Sequence, residues 1–233
     1  MTVAEMVTYV SQILGDTDFK KWQSSIHIVP SLNNAQNEFV LRILSFVSQN
    51  RKAHELIGEL ESKTTSINIA STGYALSGVD SSAPYMRNGF VAASCTIDGE
   101  TVWCNYLPSP DIKKQQNYFL RGNDDKPDCY VFNERFYVVA STGSYPVPTI
   151  IYYIREPRVL VSSGATGYQI TTCELNAMFH YLICEMAAAK CWRMLGDESS
   201  IRKYENIMKL INDEIQGIAI GGMIAPDRKE VSD

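Results

Sequence analysis

Between Thr171 and Leu195 the chain reads Thr-Thr-Cys-Glu-Leu-Asn-Ala-Met-Phe-His-Tyr-Leu-Ile-Cys-Glu-Met-Ala-Ala-Ala-Lys-Cys-Trp-Arg-Met-Leu. Thr171 and Glu174 have the spacing of a capping box, and Gly196 supplies a stop, so the run is expected to be one helix. Leu175, Met178, Phe179, Leu182, Ile183, Met186, Ala187, Ala189 and Leu195 leave only a narrow polar strip. A helix apolar over most of its circumference must be covered on several sides. Ala187-Ala188-Ala189 has so little bulk that a neighbouring backbone can come close. The run is therefore the centre of a bundle, and the rest of the chain has to supply its cover.

Upstream, Thr2 and Glu5 form a second capping box, followed by Val3, Met6, Val10 and Leu14 at helical spacing up to Gly15. After Trp22, Ile26 and Pro30, the residues Leu32, Ala35, Phe39, Ile43 and Phe46 recur at steps of three and four. This second helix begins near Pro30, where proline fits the first turn, and extends toward Asn50. His54 to Leu60 adds a further turn or two. Downstream, Asp197 to Gln216 carries an apolar seam of Ile201, Tyr204, Met208, Ile211 and Ile215.

From Ser62 to about Leu160 the pattern changes to short alternating runs: 66–69, 102–106, 130–132 and 136–139. These are strands. Asp98-Gly99 and Asn133-Glu134 mark tight hairpins. The fold class is α+β: a helical bundle formed by N- and C-terminal helices, with an inserted antiparallel β-sandwich or small barrel. The expected domains are residues 1–61, N-terminal helices; 62–161, the β insert; 162–216, C-terminal helices; and 217–233, a mobile tail. Ordering that tail costs roughly 1–2 kcal/mol per residue, nearly cancelling what burial of Ile218, Ile220, Met223 and Ile224 returns. The long polar link from Pro108 to Asp128 reads as a projecting loop.

The chain has 233 residues, 45% hydrophobic and 20% charged, with a net charge of −5. Without clustered Lys and Arg it lacks the footprint of a protein that grips nucleic acid by its phosphates. The first residues lack a signal peptide's basic start and apolar core, and no segment approaches a membrane span. Its six cysteines are expected to be reduced. Cys95 should face Val102 across the first hairpin and Cys104 should face Ala93, a diagonal register that disfavours a bridge.

Catalytic signatures are missing: no Gly-rich phosphate loop, no Gly-x-Ser-x-Gly, no His-Glu-x-x-His, no Cys-x-x-Cys. No catalytic residue, no metal site and no cofactor is assigned. Cys173, His180, Cys184 and Cys191 share one stripe of the central helix. At 1.5 Å per residue its ends lie about 27 Å apart, so one ion could meet only His180 and Cys184; core packing is the better reading. The acidic run 123–128 lacks the glycine and distal glutamate of a calcium loop and reads as a solvated turn. His27 and His54 have no catalytic partner at recognisable spacing.

Three places carry a resemblance: Trp22 and Ile26 with Leu32-Asn33-Asn34-Ala35-Gln36; Pro127 to Val139 with Ile150 to Pro157; and Ala187-Ala188-Ala189, Leu195-Gly196-Asp197 and Tyr204-Glu205. In these the chain resembles the head-to-tail adaptor proteins of tailed bacteriophages, the group that includes the podovirus gatekeeper, or tail tubular A-like, proteins. The resemblance implies a structural virion protein of the neck, assembled in the host cytoplasm. It implies a ring, usually dodecameric, between the portal and the next tail protein, with double-stranded DNA passing through its lumen and no membrane partner. It also implies a terminal tail laid on the portal, for which Ile218, Ile220, Met223 and Ile224 are the candidate anchors. Two other readings stay open. One is a different neck ring, such as a stopper or tail-tube ring. The other is a tail-associated cell-wall hydrolase using carboxyls among Glu100, Asp128, Glu134 and Glu156.

Overall fold

The computed structural model describes residues 1–46, 51–107, 122–139, 145–196 and 198–221. The chain divides into two compact units, Met1–Glu59 with Pro157–Asp233, and Leu60–Glu156. The fold is mixed α+β, with helices at both ends of the sequence and a curled, mainly antiparallel β region inserted between them.

The first unit is helical. Helix α1 spans Val3–Leu14. Its capping box forms as the sequence requires: Thr2 Oγ1 accepts from Glu5 N at 3.3 Å, and Glu5 Oε2 accepts from Thr2 N at 2.8 Å. Gly15 closes the helix in the left-handed region at φ 67°. A π-helical turn, Ser24–Ile28, leads directly into α2, Val29–Phe46, with Pro30 in its first turn. The expected extension of α2 to Asn50 falls on residues outside those described. Arg51–Leu60 is a 3₁₀ segment interrupted at Ile57. Helix α3 spans His180–Leu195 and α4 spans Glu198–Gly221.

Helix α3 is the centre of this unit, packed on α1, α2 and α4. Ala187, Ala188, Ala189 and Cys191 are fully buried. Small side chains let the neighbours approach: Cys184 Sγ lies 3.9 Å from Met6 O on α1, and Cys191 Sγ lies 3.5 Å from Ser31 Oγ on α2. Phe39 and Phe179, both buried, pack with their rings tilted at 45° and centroids 4.8 Å apart.

Two boundaries differ from the sequence reading. The central helix starts at His180 after a 3₁₀ turn, Ala177–Phe179, capped by Asn176; it does not start at Thr171. Residues 171–173 are instead extended against the chain's start: Val3 N donates to Thr171 O at 2.8 Å, and Cys173 N donates to Met1 O at 3.2 Å. Glu174 serves another segment, its carboxylate accepting from Arg158 N at 2.7 Å. The second difference is that α4 runs through Gly217 to Gly221, beyond the expected stop at Gln216. A mid-helix glycine costs about 1 kcal/mol, while burying Ile218 returns roughly 1.5–3 kcal/mol, so the helix continues. Ile218 is 8% exposed.

The second unit is built on two long strands. Strands β1, Glu61–Lys63, and β2, Ile67–Ile69, follow each other along one long strand, β9, Val147–Arg155. Between them Thr64 exchanges bonds with Ile151 through its backbone N and its hydroxyl, each at 3.0 Å. Strand β3 is Tyr74–Ala75, β4 is Tyr85–Ile97, β5 is Glu100–Trp103 and β6 is Asn105–Tyr106. Strand β7 is Asp128–Phe132 and β8 is Arg135–Val139. One sheet has the order β1-β9-β4-β5 with β2 also on β9; the other has the order β3-β8-β7-β6. Their inner residues, among them Ile69, Ala93, Cys129, Phe136, Ile151 and Tyr153, form one core with Leu76 of the turn after β3.

Both expected hairpins form. Asp98 and Gly99 have φ of 51° and 85°, with Ile97 paired to Glu100. Asn133 and Glu134 have φ of 48° and 58°, with Phe132 paired to Arg135. Such turns match strand twist because both central residues are left-handed. Strand β4 is bulged between Tyr85 and Ala92. Gly89 sits at that bulge where a Cβ would come within 2.7 Å of Ile154 O, so no larger residue fits. Cys95 faces Val102, as its register predicts, and all six cysteines are free thiols.

Candidate functional site

The run Leu32-Asn33-Asn34-Ala35-Gln36, singled out in the sequence, is a polar clasp on a short strand. After the β unit the chain returns through β10, Val159–Leu160, which pairs in parallel with β11, Gln169–Ile170. On the free edge of β10, Asn33 takes the place of a neighbouring strand. Its Oδ1 accepts from Leu160 N at 2.7 Å and its Nδ2 donates to Leu160 O at 3.0 Å. Gln36 Nε2 donates to Arg158 O at 2.8 Å. One turn on, Glu38 holds both Arg42 on its own helix and Lys190 on α3. Partial burial raises the Glu38 pKa, but bonds from Lys190 and Arg42 outweigh this and hold the carboxyl below its usual range. The sequence showed these residue types; it did not show that they grip a strand more than a hundred residues away.

The Cys-His stripe of the central helix is used for packing. His180 is 3% exposed, with Nε2 2.7 Å from Leu175 O and Nδ1 2.7 Å from the Met1 amino nitrogen. Burial lowers its pKa. Cys173, Cys184 and Cys191 are buried, and burial pushes the Cys184 thiol up to about 12. Among the described residues no three His, Cys, Asp or Glu side chains are grouped as metal ligands. The acidic run 123–128 forms a turn, with Asn123 Oδ1 accepting from Lys126 N at 2.7 Å, and is tied to β6, where Asp128 Oδ1 accepts from Asn105 Nδ2 at 2.9 Å.

Of the carboxyls considered for hydrolysis, Glu134 and Glu156 line one groove of the β unit, about 720 Å³ in volume, whereas Glu100 and Asp128 do not. Tyr85, Arg87, Asn88 and Asn133 line it as well. Burial pushes the Tyr85 phenol up. Three of its lining residues, Asn88, Asn133 and Glu134, have positive φ. Sequence pattern marked the second turn but not the bulge at Asn88.

The helical unit carries a smaller, more apolar groove of about 230 Å³, lined by Ile13, Glu185, Ile207, Leu210, Ile211 and Glu214. Leu210 is 69% exposed. Of the four candidate portal anchors, Ile218 and Ile220 stand in the last turns of α4, and Ile218 is committed to packing within the unit. Met223 and Ile224 lie outside the described residues. No described helix is long and apolar enough to cross a membrane.

The chain therefore presents a packed helical unit, a grooved β unit and a C-terminal segment, with no clustered ligand set for a metal among the described residues. No curated protein matches it. The family model for the SU10 adaptor protein matches residues 1–226, across both units. The chain belongs to the SU10 adaptor protein family.

Proposed function

We propose that the chain assembles as a ring, a dodecamer, between the portal and the next tail protein of a phage, and that packaged DNA passes through the ring. The observation that carries this reading is the family match over residues 1–226. Family membership makes the protein a structural adaptor of the phage head-to-tail kind; ring, portal contact and DNA passage are our extension. The fold supports it, with helices from both ends of the chain enclosing a β insert as the resemblance to podovirus gatekeepers implies. The net charge of −5 suits a lumen that must not hold DNA by its phosphates. Assembly takes place in the host cytoplasm and the product resides in the virion neck.

Portal contact is assigned to the C-terminal segment, with Met223 and Ile224 as its apolar anchors and Ile220 beside them. Ile218, packed within its own unit, holds the last turns of the helix from which the segment leaves. Ordering on binding offsets the entropy cost when the partner supplies the missing contacts. The test is co-purification with the portal protein of the same genome through a tag on this chain. Full-length chain should retain the portal and a chain ending at Gly221 should lose it; equal retention overturns the assignment.

One observation favours a second reading. Glu134 and Glu156 line one groove, and a glycosidase works with two carboxyls facing one cleft. A cell-wall turnover assay on wild type and Glu134→Gln distinguishes them: an adaptor gives no turnover with either chain.

A further inference from the structure

Helix α3 is covered by α1, α2 and α4, and α2 also meets α4, whereas α1 and α4 make little contact with each other. The side of the bundle between α1 and α4 is the less filled one. The groove of Ile13, Ile207, Leu210 and Ile211 lies there, with the carboxylates of Glu185 and Glu214 also lining it. An apolar floor with acidic lining fits a segment that combines large apolar side chains with lysine or arginine.

We infer that this groove receives residues 108–121 of a second copy of the chain, an inference that rests on the ring reading above. Those fourteen residues contain Ile112, Tyr118, Phe119 and Leu120 together with Lys113, Lys114 and Arg121, against a single acid, Asp111. Both ends of the segment are fixed at one place on the β unit. Leu107 N donates to Cys129 O at 2.8 Å, and Gly122 lies so close to Asp128 that a Cβ would fall 2.2 Å from its backbone N. A chain that leaves and returns at one point, half its length out and half back, reaches about 23 Å at roughly 3.3 Å per residue. The C-terminal segment 222–233 is a poorer fit: Asp227, Glu230 and Asp233 outnumber Arg228 and Lys229, so its net charge has the sign of the groove's own carboxylates.

The test places a photo-crosslinking benzoylphenylalanine at Leu210 in the full-length chain, mixed with isotope-labelled copies and co-expressed with the portal. Crosslinks between a light and a heavy copy that map to 108–121 are the expected result. Crosslinks within one copy, to 222–233 or to the portal overturn it. Charge reversal gives an independent check. Glu214→Lys and the pair Lys113→Glu, Lys114→Glu should each weaken self-association about tenfold, and combining them should recover most of the loss. Losses that merely add overturn the inference. If copies bind the portal without associating with one another, this docking is wrong while the adaptor reading stands. If they bind neither the portal nor each other, both fail.

Discussion

The helical unit and the β unit are held together in opposite ways. The β unit is one continuous stretch, Leu60–Glu156, in which the hairpins β4–β5 and β7–β8 are local while β9 returns from the far end to pair with β1, β2 and β4. The helical unit is closed by partners far apart in the chain. Asn33 grips Leu160, Glu38 grips Lys190, and Val3 bonds to Thr171. A unit whose partners all lie within one continuous stretch can form once that stretch exists, whereas one assembled from both chain ends waits for the second of them. Insertion of a self-sufficient domain into a loop of the other brings those ends together.

The largest effect should come from cutting the chain along this division. Residues 60–156 expressed alone are expected to give a cooperatively unfolding sheet by circular dichroism, whereas 157–233 alone should be largely unfolded. A stable helical fragment without α1 and α2 would break the contrast. Next, Phe39→Ala should cost about 3–5 kcal/mol, since the ring is fully buried against Phe179. Hydrogen exchange resolved by peptide should show that loss in the helices and leave the sheet's protection unchanged.

Asn33→Ala removes the partner of both Leu160 N and Leu160 O, groups on a part-buried strand edge, at about 1–3 kcal/mol for each group left unsatisfied. Exchange of the Leu160 amide reads this directly. Gly99→Ala acts on the other unit. Open space surrounds a Cβ there, so only the left-handed φ of 85° is penalised, by about 1 kcal/mol, seen as a lower denaturation midpoint of the sheet.

The smallest change is with pH. His180 is held neutral by burial, so its folded pKa lies below the ordinary 6.5. The unfolded chain then takes up a proton that the folded chain refuses, and stability, full above about pH 6.5, falls as pH drops through that value. His180→Gln should flatten this dependence in the helical unit.

What the sequence revealed follows the same division. Local chemistry was legible: the Thr2 and Glu5 box, the Asp98-Gly99 and Asn133-Glu134 turns, and the apolar circumference of the central helix. Distant chemistry was not. Thr171 and Glu174 have capping spacing, but Thr171 O is taken by Val3 N and the Glu174 carboxylate by Arg158 N, partners that no local pattern names. The helix runs past Gln216 because Ile218 finds a buried place, another tertiary decision. The Asn33 clasp was visible as residues but not as a contact, and the groove at Asn88 depends on a bulge that alternation alone does not mark.

The central claim is that this two-unit chain is a head-to-tail adaptor ring, and imaging the complex co-expressed with the portal of its own genome tests it most directly. The account predicts a closed ring of copies stacked on the portal ring, with an open channel along the shared axis. Single copies that neither form a ring nor bind the portal would contradict it.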